Sequence, residues 1–146
     1  MPGGLVEKDS RGYQNVAAST RRRMLAVRRS NTAPELVVRQ LLHALGYRFR
    51  LHRKDLPGTP DIVLPKHRKI ILVHGCFWHG HAGCRRAKLP LNNAETWQRK
   101  IEANKIRDTR NLSALSLLGW RVLVLWECEV ADLNRIRERL IHFLSV

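Results

Sequence analysis

Residues that could bind a metal are concentrated in one stretch of eleven, from His74 to Cys84. The stretch contains three of the seven histidines and two of the three cysteines, and it follows the apolar run 70–73. Imidazole and thiolate are the groups with which proteins hold structural zinc. The spacing C-x4-H-x2-C, with the third cysteine far downstream, predicts a closed tetrahedral zinc site. The four predicted ligands are Cys76, His81, Cys84 and Cys128.

His79 lies between these ligands and is the alternative to His81 as the nitrogen ligand. A different interpretation makes the cysteines small buried residues and the histidine a surface residue. We favour zinc, because it gives all three cysteines and one histidine a role at once.

A second set of residues suits hydrolysis of a phosphodiester bond. Asp61 opens the short apolar run 62–64, and Glu35 lies near a predicted helix start. Carboxylates of this kind could together hold Mg²⁺, and His74 or His79 could accept a proton from an attacking water. The alternative for Asp61 is an ordinary turn-forming Pro-Asp pair.

Asp108 stands on the apolar face of a predicted helix, where an aliphatic residue is expected. A buried carboxylate is costly unless it is paired, and a histidine is the partner that the sequence favours. Asn104, one turn earlier, is a similar exception. If this face is only half buried, neither residue needs a partner, and the periodicity leaves both interpretations open.

Phe77 and Trp78 are consecutive within the Cys/His stretch. If the segment is not helical, their side chains should point apart, so that one core pocket does not hold both. Rigid apolar groups in a basic protein can wedge between base pairs, and we favour this interpretation over core packing. Trp97 could join them, whereas the other two tryptophans lie on an apolar strand and are assigned to the core.

The composition points to a polyanionic partner. The chain has 146 residues, and 27 Lys and Arg against 12 Asp and Glu give a formal charge of +15. Nucleic acid is the leading candidate, although a merely soluble basic protein would have the same charge. Residues 1–30 are Arg-rich and are interpreted as an arm along DNA phosphates rather than a solvated tail. The arginines expected to contact DNA include Arg21, Arg22 and Arg23.

The cellular setting follows from what the sequence lacks. It shows no apolar leader and no apolar run near the ~18 residues of a membrane span, so we expect a cytoplasmic protein, nucleoid-associated in a prokaryote. Reduced cysteines in that compartment suit a metal better than a disulfide. No coiled coil or symmetric patch is evident, and a monomer is therefore expected.

The elements that must position these residues follow from periodicity. Helices are predicted from residue 31, from 92 or 93, and from 132. The predicted strands are 47–51, 61–64, 69–74 and 120–126. This order predicts an α/β fold with a mixed sheet covered by helices, formed as one domain by residues 31–146. If the last two strands are neighbours, Cys76 and Cys128 reach the same sheet edge.

Several motifs now carry a resemblance to a known family. They are PGTPDIVL (57–64), ILVHGCFWHGHAGC (71–84), TWQRKIEANKIRD (96–108), LGWRVLVLWEC (118–128) and, more weakly, TAPELVVR (32–39). On these motifs the chain resembles the very-short-patch repair DNA mismatch endonucleases over about residues 20–145. The resemblance implies a restriction-endonuclease-like fold, in which helices flank a mixed central sheet and one structural zinc is bound.

Members of this family nick one strand of duplex DNA beside a T:G mismatch, which arises when 5-methylcytosine deaminates. The resemblance therefore implies a Mg²⁺-dependent, strand-specific DNA endonuclease that initiates very short patch repair. A cytosine-5 methyltransferase and mismatch repair proteins are the functional links that this activity suggests.

The family motifs also assign roles to single residues. The implied catalytic group is Asp61, His79, His74, Asp108 and Glu35. Asp61 would bind Mg²⁺ together with the backbone carbonyl of Val73, and His79, oriented by Asp108, would serve the attacking water. His74 would assist near the scissile phosphate, and Glu35 would be a supporting acidic residue. The residues implied to enter the duplex beside the mismatch are Phe77, Trp78 and Trp97.

This chain departs from the family pattern at three places. Some members have Thr where Val73 stands, so this chain lacks that hydroxyl but keeps the carbonyl. The segment between His81 and Cys84 is one residue longer than in some members and reads Ala-Gly. The N-terminal arm is also longer, and the motifs leave the flanking bases that the protein would read undefined.

Overall fold

A computed structural model describes residues 31–146 of the chain. The predicted arm over residues 1–30, with Arg21, Arg22 and Arg23, lies outside the described residues. The helices are α1 (Ala33–Ala44), α2 (Ala94–Leu117), α3 (Glu127–Val130) and α4 (Leu133–Ser145), with short 3₁₀ helices at Pro65–His67 and Arg85–Ala87. The strands are β1 (Arg50–Leu51), β2 (Ile62–Leu64), β3 (Lys69–His74) and β4 (Arg121–Trp126).

The predicted helix starts agree with the capping chemistry of the sequence. The Thr32 hydroxyl accepts a hydrogen bond from the Glu35 amide at 3.3 Å, and the carboxylate of Asp132 accepts one from the Arg135 amide at 3.2 Å. These side chains satisfy amides that the first turn of a helix leaves unpaired. Asn93 precedes α2 in a left-handed conformation, and its side chain makes no capping hydrogen bond.

The four strands form one mixed sheet in the order β1-β2-β3-β4. β2 and β3 form an antiparallel hairpin, and the 3₁₀ turn between them ends at Arg68, whose φ is 54°. β3 and β4 are parallel, with His74 opposite Trp126, and α2 connects them. The predicted mixed sheet with flanking helices is confirmed, but the strand predicted over 47–51 contains only Arg50 and Leu51.

Helices cover both faces of the sheet. Because side chains alternate along a strand, Ile62 and Leu64 face α1 and α4, whereas Val63 faces Leu115 of α2. The α1 and α4 side chains in the first core are Val38, Leu42, Ile136, Leu140 and Leu144. Burial on both faces explains why β2 and residues 70–73 of β3 are continuous apolar runs. Within residues 31–146, no helix is long and apolar enough to cross a membrane.

Lys69, at the start of β3, fastens the C-terminal helix to the sheet. Its side chain is buried, and Nζ donates a hydrogen bond to the Phe143 carbonyl oxygen at 2.7 Å. That carbonyl lies in the last turn of α4, where the helix dipole favours a cation. Burial, followed by repulsion from Arg121, lowers the pKa of Lys69 below its ordinary value.

Candidate active site and metal centre

One edge of the sheet brings together most of the residues that the sequence singled out. Asp61 lies just before β2, His74 ends β3, and Cys128 follows β4 by two residues. Because β2 runs antiparallel to β3 and β4 runs parallel to it, these three positions meet at the same end of the strands, which is the edge meant here. The prediction that neighbouring strands would bring Cys76 and Cys128 together is confirmed, because the amide of Cys128 donates to Cys76 Sγ at 3.4 Å.

Three cysteines and one histidine converge beside this edge. The group consists of Cys76, His81, Cys84 and Cys128, whose ligand atoms all lie within 4.8 Å of one another. His81 Nδ1 is 3.4 Å from Cys128 Sγ, close to the about 3.6 Å that two ligands of a tetrahedral zinc would show. Of the two histidines that were alternatives, the structure brings His81 to the cysteines.

The surroundings of this group favour a bound cation. Burial raises the pKa of the Cys76 thiol to about 12, so this site needs a positive charge before it can hold the thiolate that zinc requires. The His81 ring stacks on Trp126, with 4.1 Å between the ring centroids and 7° between the planes. The ring is therefore held in place by packing before any ion binds. The donor set fits a closed structural zinc site.

Residues 75–81 form a tight hydrogen-bonded turn between β3 and the cysteine-histidine group. The amides of His79 and His81 donate to the carbonyls of Gly75 and Cys76, at 3.1 and 2.9 Å. Gly80 has a φ of +60°, and a Cβ there would lie 2.5 Å from a side-chain atom of Lys105. Glycine therefore permits both the left-handed backbone and the close approach of the turn to α2.

The prediction that Phe77 and Trp78 point apart is wrong. Their rings contact each other edge to face at 5.2 Å, and each also contacts Trp97 at 5.9 Å. The prediction assumed an extended backbone, whereas residues 76–80 form hydrogen-bonded turns, in which successive side chains need not alternate between opposite sides. Phe77 and Trp78 are partly exposed.

Trp97 is fully buried in the first turns of α2. The resemblance implied that this ring enters DNA, but in this structure Phe77 and Trp78 pack against it. Trp97 therefore forms the buried base on which Phe77 and Trp78 pack. It could touch DNA only if this aromatic cluster opened.

A histidine-carboxylate pair lies on the inner side of the turn. Asp108 Oδ2 is 2.6 Å from His79 Nδ1, which confirms the prediction that Asp108 is paired with a histidine. Because an ionised carboxylate can only accept, Nδ1 donates and the lone pair of the ring is on Nε2. Burial opposes ionisation of Asp108, but the hydrogen bond from His79 outweighs it with help from nearby positive charge, and the pKa of Asp108 is lowered.

His74 packs directly against this pair. Its ring stacks on His79, with 3.8 Å between the centroids and 5° between the planes. Burial, reinforced by repulsion from His79 and partly offset by Asp108, lowers the pKa of His74 to about 4. His74 is therefore a neutral imidazole near pH 7. It orients the His79 ring without adding a competing positive charge.

Asn104 fixes the same turn from the helix side. Its side-chain amide donates a hydrogen bond to the Trp78 carbonyl oxygen at 2.8 Å. Together with Asp108, it accounts for the two polar residues on the apolar face of α2, because both hold the 75–81 turn. Half burial is also real, since Asp108 is 22% exposed, so the two interpretations of this face are compatible.

Asp61 is fixed by the neighbouring strand. Its Oδ2 accepts a hydrogen bond from the Val73 amide at 2.9 Å. Burial raises the pKa of Asp61 to about 6, the hydrogen bond from Val73 opposes the increase, and the charge of Glu35 adds to it. A carboxylate that is costly to ionise beside a second carboxylate is an arrangement that a bound cation would stabilise.

Glu35 reaches the site from α1 and is almost entirely buried. Arg39, one turn later, donates to Glu35 Oε2, and His52 Nε2 lies 3.0 Å from the same oxygen. Ligand atoms of Glu35, His52 and Asp61 all lie within 4.8 Å of one another. Sequence reasoning missed His52, because a single histidine just after a strand has no periodic or motif signal.

The sequence was compared with known proteins. The family model for DNA mismatch endonuclease Vsr matches residues 15–86. The Type II nicking enzyme V.XorIIP of Xanthomonas oryzae pv. oryzae is 58% identical over 122 residues, covering 84% of this chain and 89% of the relative. The DNA mismatch endonuclease Vsr of Escherichia coli is 42% identical over 121 residues, covering 83% of this chain and 77% of the relative.

This chain belongs to the Vsr family of DNA mismatch endonucleases.

Membership of the Vsr family makes the chain a DNA endonuclease. A further relative is the Type II nicking enzyme V.NmeAIP of Neisseria meningitidis, which is 41% identical over 117 residues and covers 80% of this chain and 83% of the relative. The resemblance on which the sequence analysis relied is thereby confirmed. In this Vsr-family chain, the candidate active site is the region beside the end of β3 where Asp61, His79 and Asp108 lie.

Proposed function

We propose that this Vsr-family endonuclease nicks one strand of duplex DNA beside a T:G mismatch, in repair of deaminated 5-methylcytosine. One observation carries the proposal: Asp61 and the His79–Asp108 pair lie beside the end of β3, where Asp61 contacts Val73 and His79 contacts His74. Asp61 binds the Val73 amide, and the adjacent His74 stacks on His79. A base and a cation-binding carboxylate are thus held side by side, as hydrolysis of a phosphodiester requires.

The oxygen donors at this edge suit Mg²⁺. Asp61 and the backbone carbonyl of Val73 would hold the ion, with Glu35 supporting them, and Mg²⁺ would supply charge stabilisation at the scissile phosphate. Glu35 raises the pKa of Asp61, so a cation between the two carboxylates would relieve their repulsion. The residues present therefore fit the ion.

His79 acts as the general base in this mechanism. Its Nε2 accepts a proton from the attacking water, and Asp108 stabilises the imidazolium that forms. His74 keeps the His79 ring in register and, being neutral, presents a hydrogen-bonding nitrogen near the scissile phosphate. This division of roles follows from the pKa of about 4 for His74 and the 2.6 Å contact between His79 and Asp108.

Mismatch recognition is assigned to the partly exposed pair Phe77 and Trp78. Zinc held by Cys76, His81, Cys84 and Cys128 would fix the turn that presents these rings, while Trp97 supports them from the buried side. Such wedges unstack a base step at a cost of a few kcal/mol, and a T:G mismatch lowers that cost. Arg21, Arg22 and Arg23 are proposed to contact DNA phosphates.

We further propose that residues 31–146 form one restriction-endonuclease-like domain that acts as a monomer. The mixed four-stranded sheet with helices on both faces supports this assignment. A functional link to a cytosine-5 methyltransferase and to mismatch repair proteins would follow from the substrate. A formal charge of +15 supports double-stranded DNA as the partner.

A second candidate function keeps the chemistry and changes the target. Several relatives are named Type II nicking enzymes, which favours a nuclease associated with a restriction–modification system and a different mismatch context. A panel of duplexes with each mismatch in several flanking sequences, at one salt concentration, separates the two candidates. Preference for T:G supports the first, and preference for another mismatch supports the second.

The decisive experiment uses a labelled duplex with one T:G mismatch, the zinc-loaded protein and Mg²⁺. The parent protein should nick one strand, EDTA added briefly should stop the reaction, and Asp61→Ala should abolish nicking while the duplex is still bound. Asp55→Ala, which removes an exposed carboxylate, is the matched control and should nick normally. Nicking by Asp61→Ala at the parent rate would refute the mechanism.

A further inference from the structure

The group formed by Glu35, His52 and Asp61 contains an imidazole that the proposed mechanism does not use. His52 Nε2 is 3.0 Å from Glu35 Oε2, and ligand atoms of all three residues lie within 4.8 Å of one another. Two ligands at right angles in an octahedral shell with bonds near 2.1 Å are separated by about 3.0 Å. The spacing of His52 and Glu35 is therefore that of two adjacent ligands of one ion.

The backbone holds His52 at this position. Its φ is 47°, a left-handed conformation that histidine adopts more readily than most residues but that still needs support. That support comes from its amide, which donates to the carbonyl of Asp61 at 3.1 Å, and from the pairing of Leu51 with Ile62. The histidine is thus tied to the same strand start as the carboxylate of Asp61.

The charges around the group favour a cation. Glu35 and Asp61 contribute two carboxylates, and Arg39, which donates to Glu35 Oε2, compensates only one of them. Asp61 Oδ2 is engaged by the Val73 amide, so Oδ1 is the atom available to an ion. The His52 side chain is 25% exposed, which leaves a path for an ion from solution.

We propose that His52 is a ligand of the cation held by Asp61, and that it makes this site prefer Mn²⁺ over Mg²⁺. The inference rests on the proposed function, in which a divalent cation binds at Asp61, and adds the class of metal. Mg²⁺ takes oxygen ligands almost exclusively, whereas imidazole nitrogen is a good ligand for first-row transition ions. A neutral His52 would offer the lone pair of Nε2 to the ion instead of donating a hydrogen bond to Glu35. The charge of the ion would then balance that of Glu35.

A structural role for His52 is the competing interpretation. In that case the imidazole only donates a hydrogen bond to Glu35, alongside Arg39, and keeps the carboxylate in place. Its loss would then change the affinity for Mg²⁺ and for Mn²⁺ by the same factor. The ratio of the two affinities therefore distinguishes a ligand from a positioning residue.

The test is a titration of the zinc-loaded protein with Mn²⁺, in which free Mn²⁺ is measured by electron paramagnetic resonance, followed by competition with Mg²⁺. We expect His52→Ala to weaken Mn²⁺ binding by about tenfold or more and to weaken Mg²⁺ binding much less. His52→Gln, which supplies an oxygen in place of nitrogen, should lose the preference for Mn²⁺ even if it folds better than the alanine variant. His142→Ala, which removes an exposed histidine of α4, is the matched control.

Equal changes in the two affinities, or no change in either, would overturn the inference. Nicking by Asp61→Ala is measured in parallel, so that the two proposals fail separately. If Asp61→Ala abolishes nicking while His52→Ala keeps the parent Mn²⁺ to Mg²⁺ ratio, the function stands and the role of His52 is wrong. If Asp61→Ala nicks normally, the proposed mechanism is wrong whatever the titration gives.

Discussion

Nδ1 of His79 lies 2.6 Å from Oδ2 of Asp108, and this contact joins the 75–81 turn to the middle of α2. The distance is short for a hydrogen bond between nitrogen and oxygen, as expected for a bond to a charged acceptor. It sets the tautomer of His79 and thereby decides which nitrogen faces the substrate.

Asp108→Asn should slow nicking by about 10²- to 10⁴-fold, because the base loses both its orientation and the charge that stabilises its protonated form. The variant should keep its zinc and its affinity for mismatched DNA. Single-turnover cleavage with saturating protein measures the chemical step. Glu102→Gln removes an exposed carboxylate from the same helix and should retain the parent rate. Equal rates for the two variants would contradict the role of Asp108.

Asp61→Asn should stabilise the protein in the absence of Mg²⁺ at pH 8. Burial raises the pKa of Asp61 from the ordinary 3.8 to about 6, so the folded state binds the proton more tightly than the unfolded state. The penalty for ionisation is absent below pH 3.8, grows as the pH rises from 3.8 to about 6, and is constant above that. The gain in the free energy of unfolding should be about 3 kcal/mol at pH 8.

Chemical denaturation of the zinc-loaded parent and variant at pH 5 and pH 8 measures this effect. The gain from Asp61→Asn should shrink at the lower pH. Asp55→Asn is the control, because Arg53 lowers the pKa of that exposed carboxylate, chiefly through a hydrogen bond. A gain from Asp61→Asn that is the same at both pH values would show that its carboxylate does not titrate as described.

His81→Gln should lose bound zinc, whereas His79→Gln should keep it. Only His81 lies with the three cysteines, and His79 is engaged by Asp108 instead. Metal analysis of the purified variants gives the zinc content, and thermal unfolding shows whether the turn is still fixed. We expect one zinc per chain in the parent and in His79→Gln. The reverse result would exchange the roles of the two histidines.

Trp97→Ala should destabilise the protein by about 3–5 kcal/mol, the usual cost of removing a fully buried large aromatic side chain. Trp78→Ala should cost clearly less, because Trp78 is partly exposed. If Trp78 recognises DNA, its removal should instead reduce the preference for mismatched over matched duplex. Urea unfolding and competition binding measure the two effects. Similar losses of stability in both variants would contradict the layered arrangement of the aromatic cluster.

Much of the fold was predictable. Strands that are buried on both faces have continuous apolar runs, and helices that pack on the sheet have apolar residues at a period of 3.6. The pairing of Asp108 with a histidine was one of two interpretations that its place on an apolar face left open, because a half-buried carboxylate needs no partner. The extent of β1 was not predictable. The alternating pattern covers residues 47–51, but only Arg50 and Leu51 pair with β2, and the other residues lie in a loop.

Other parts of the site depend on backbone geometry that residue types do not reveal. The rings of Phe77 and Trp78 meet because residues 76–80 form hydrogen-bonded turns, so the alternation of an extended chain does not apply. His52 joins Glu35 and Asp61 through a left-handed backbone angle, which no periodicity encodes. The spacing left His81 and His79 as alternatives, and only the folded structure shows that His81 lies with the cysteines.

The 75–81 turn places two metal-ligand candidates, Cys76 and His81, on either side of Trp78 and His79. If Trp78 recognises the mismatch and His79 is the general base, as proposed, the five consecutive peptide bonds from Cys76 to His81 carry both functions between two zinc ligands. Oxidation of one cysteine thiol would remove a zinc ligand and would therefore weaken both proposed functions together.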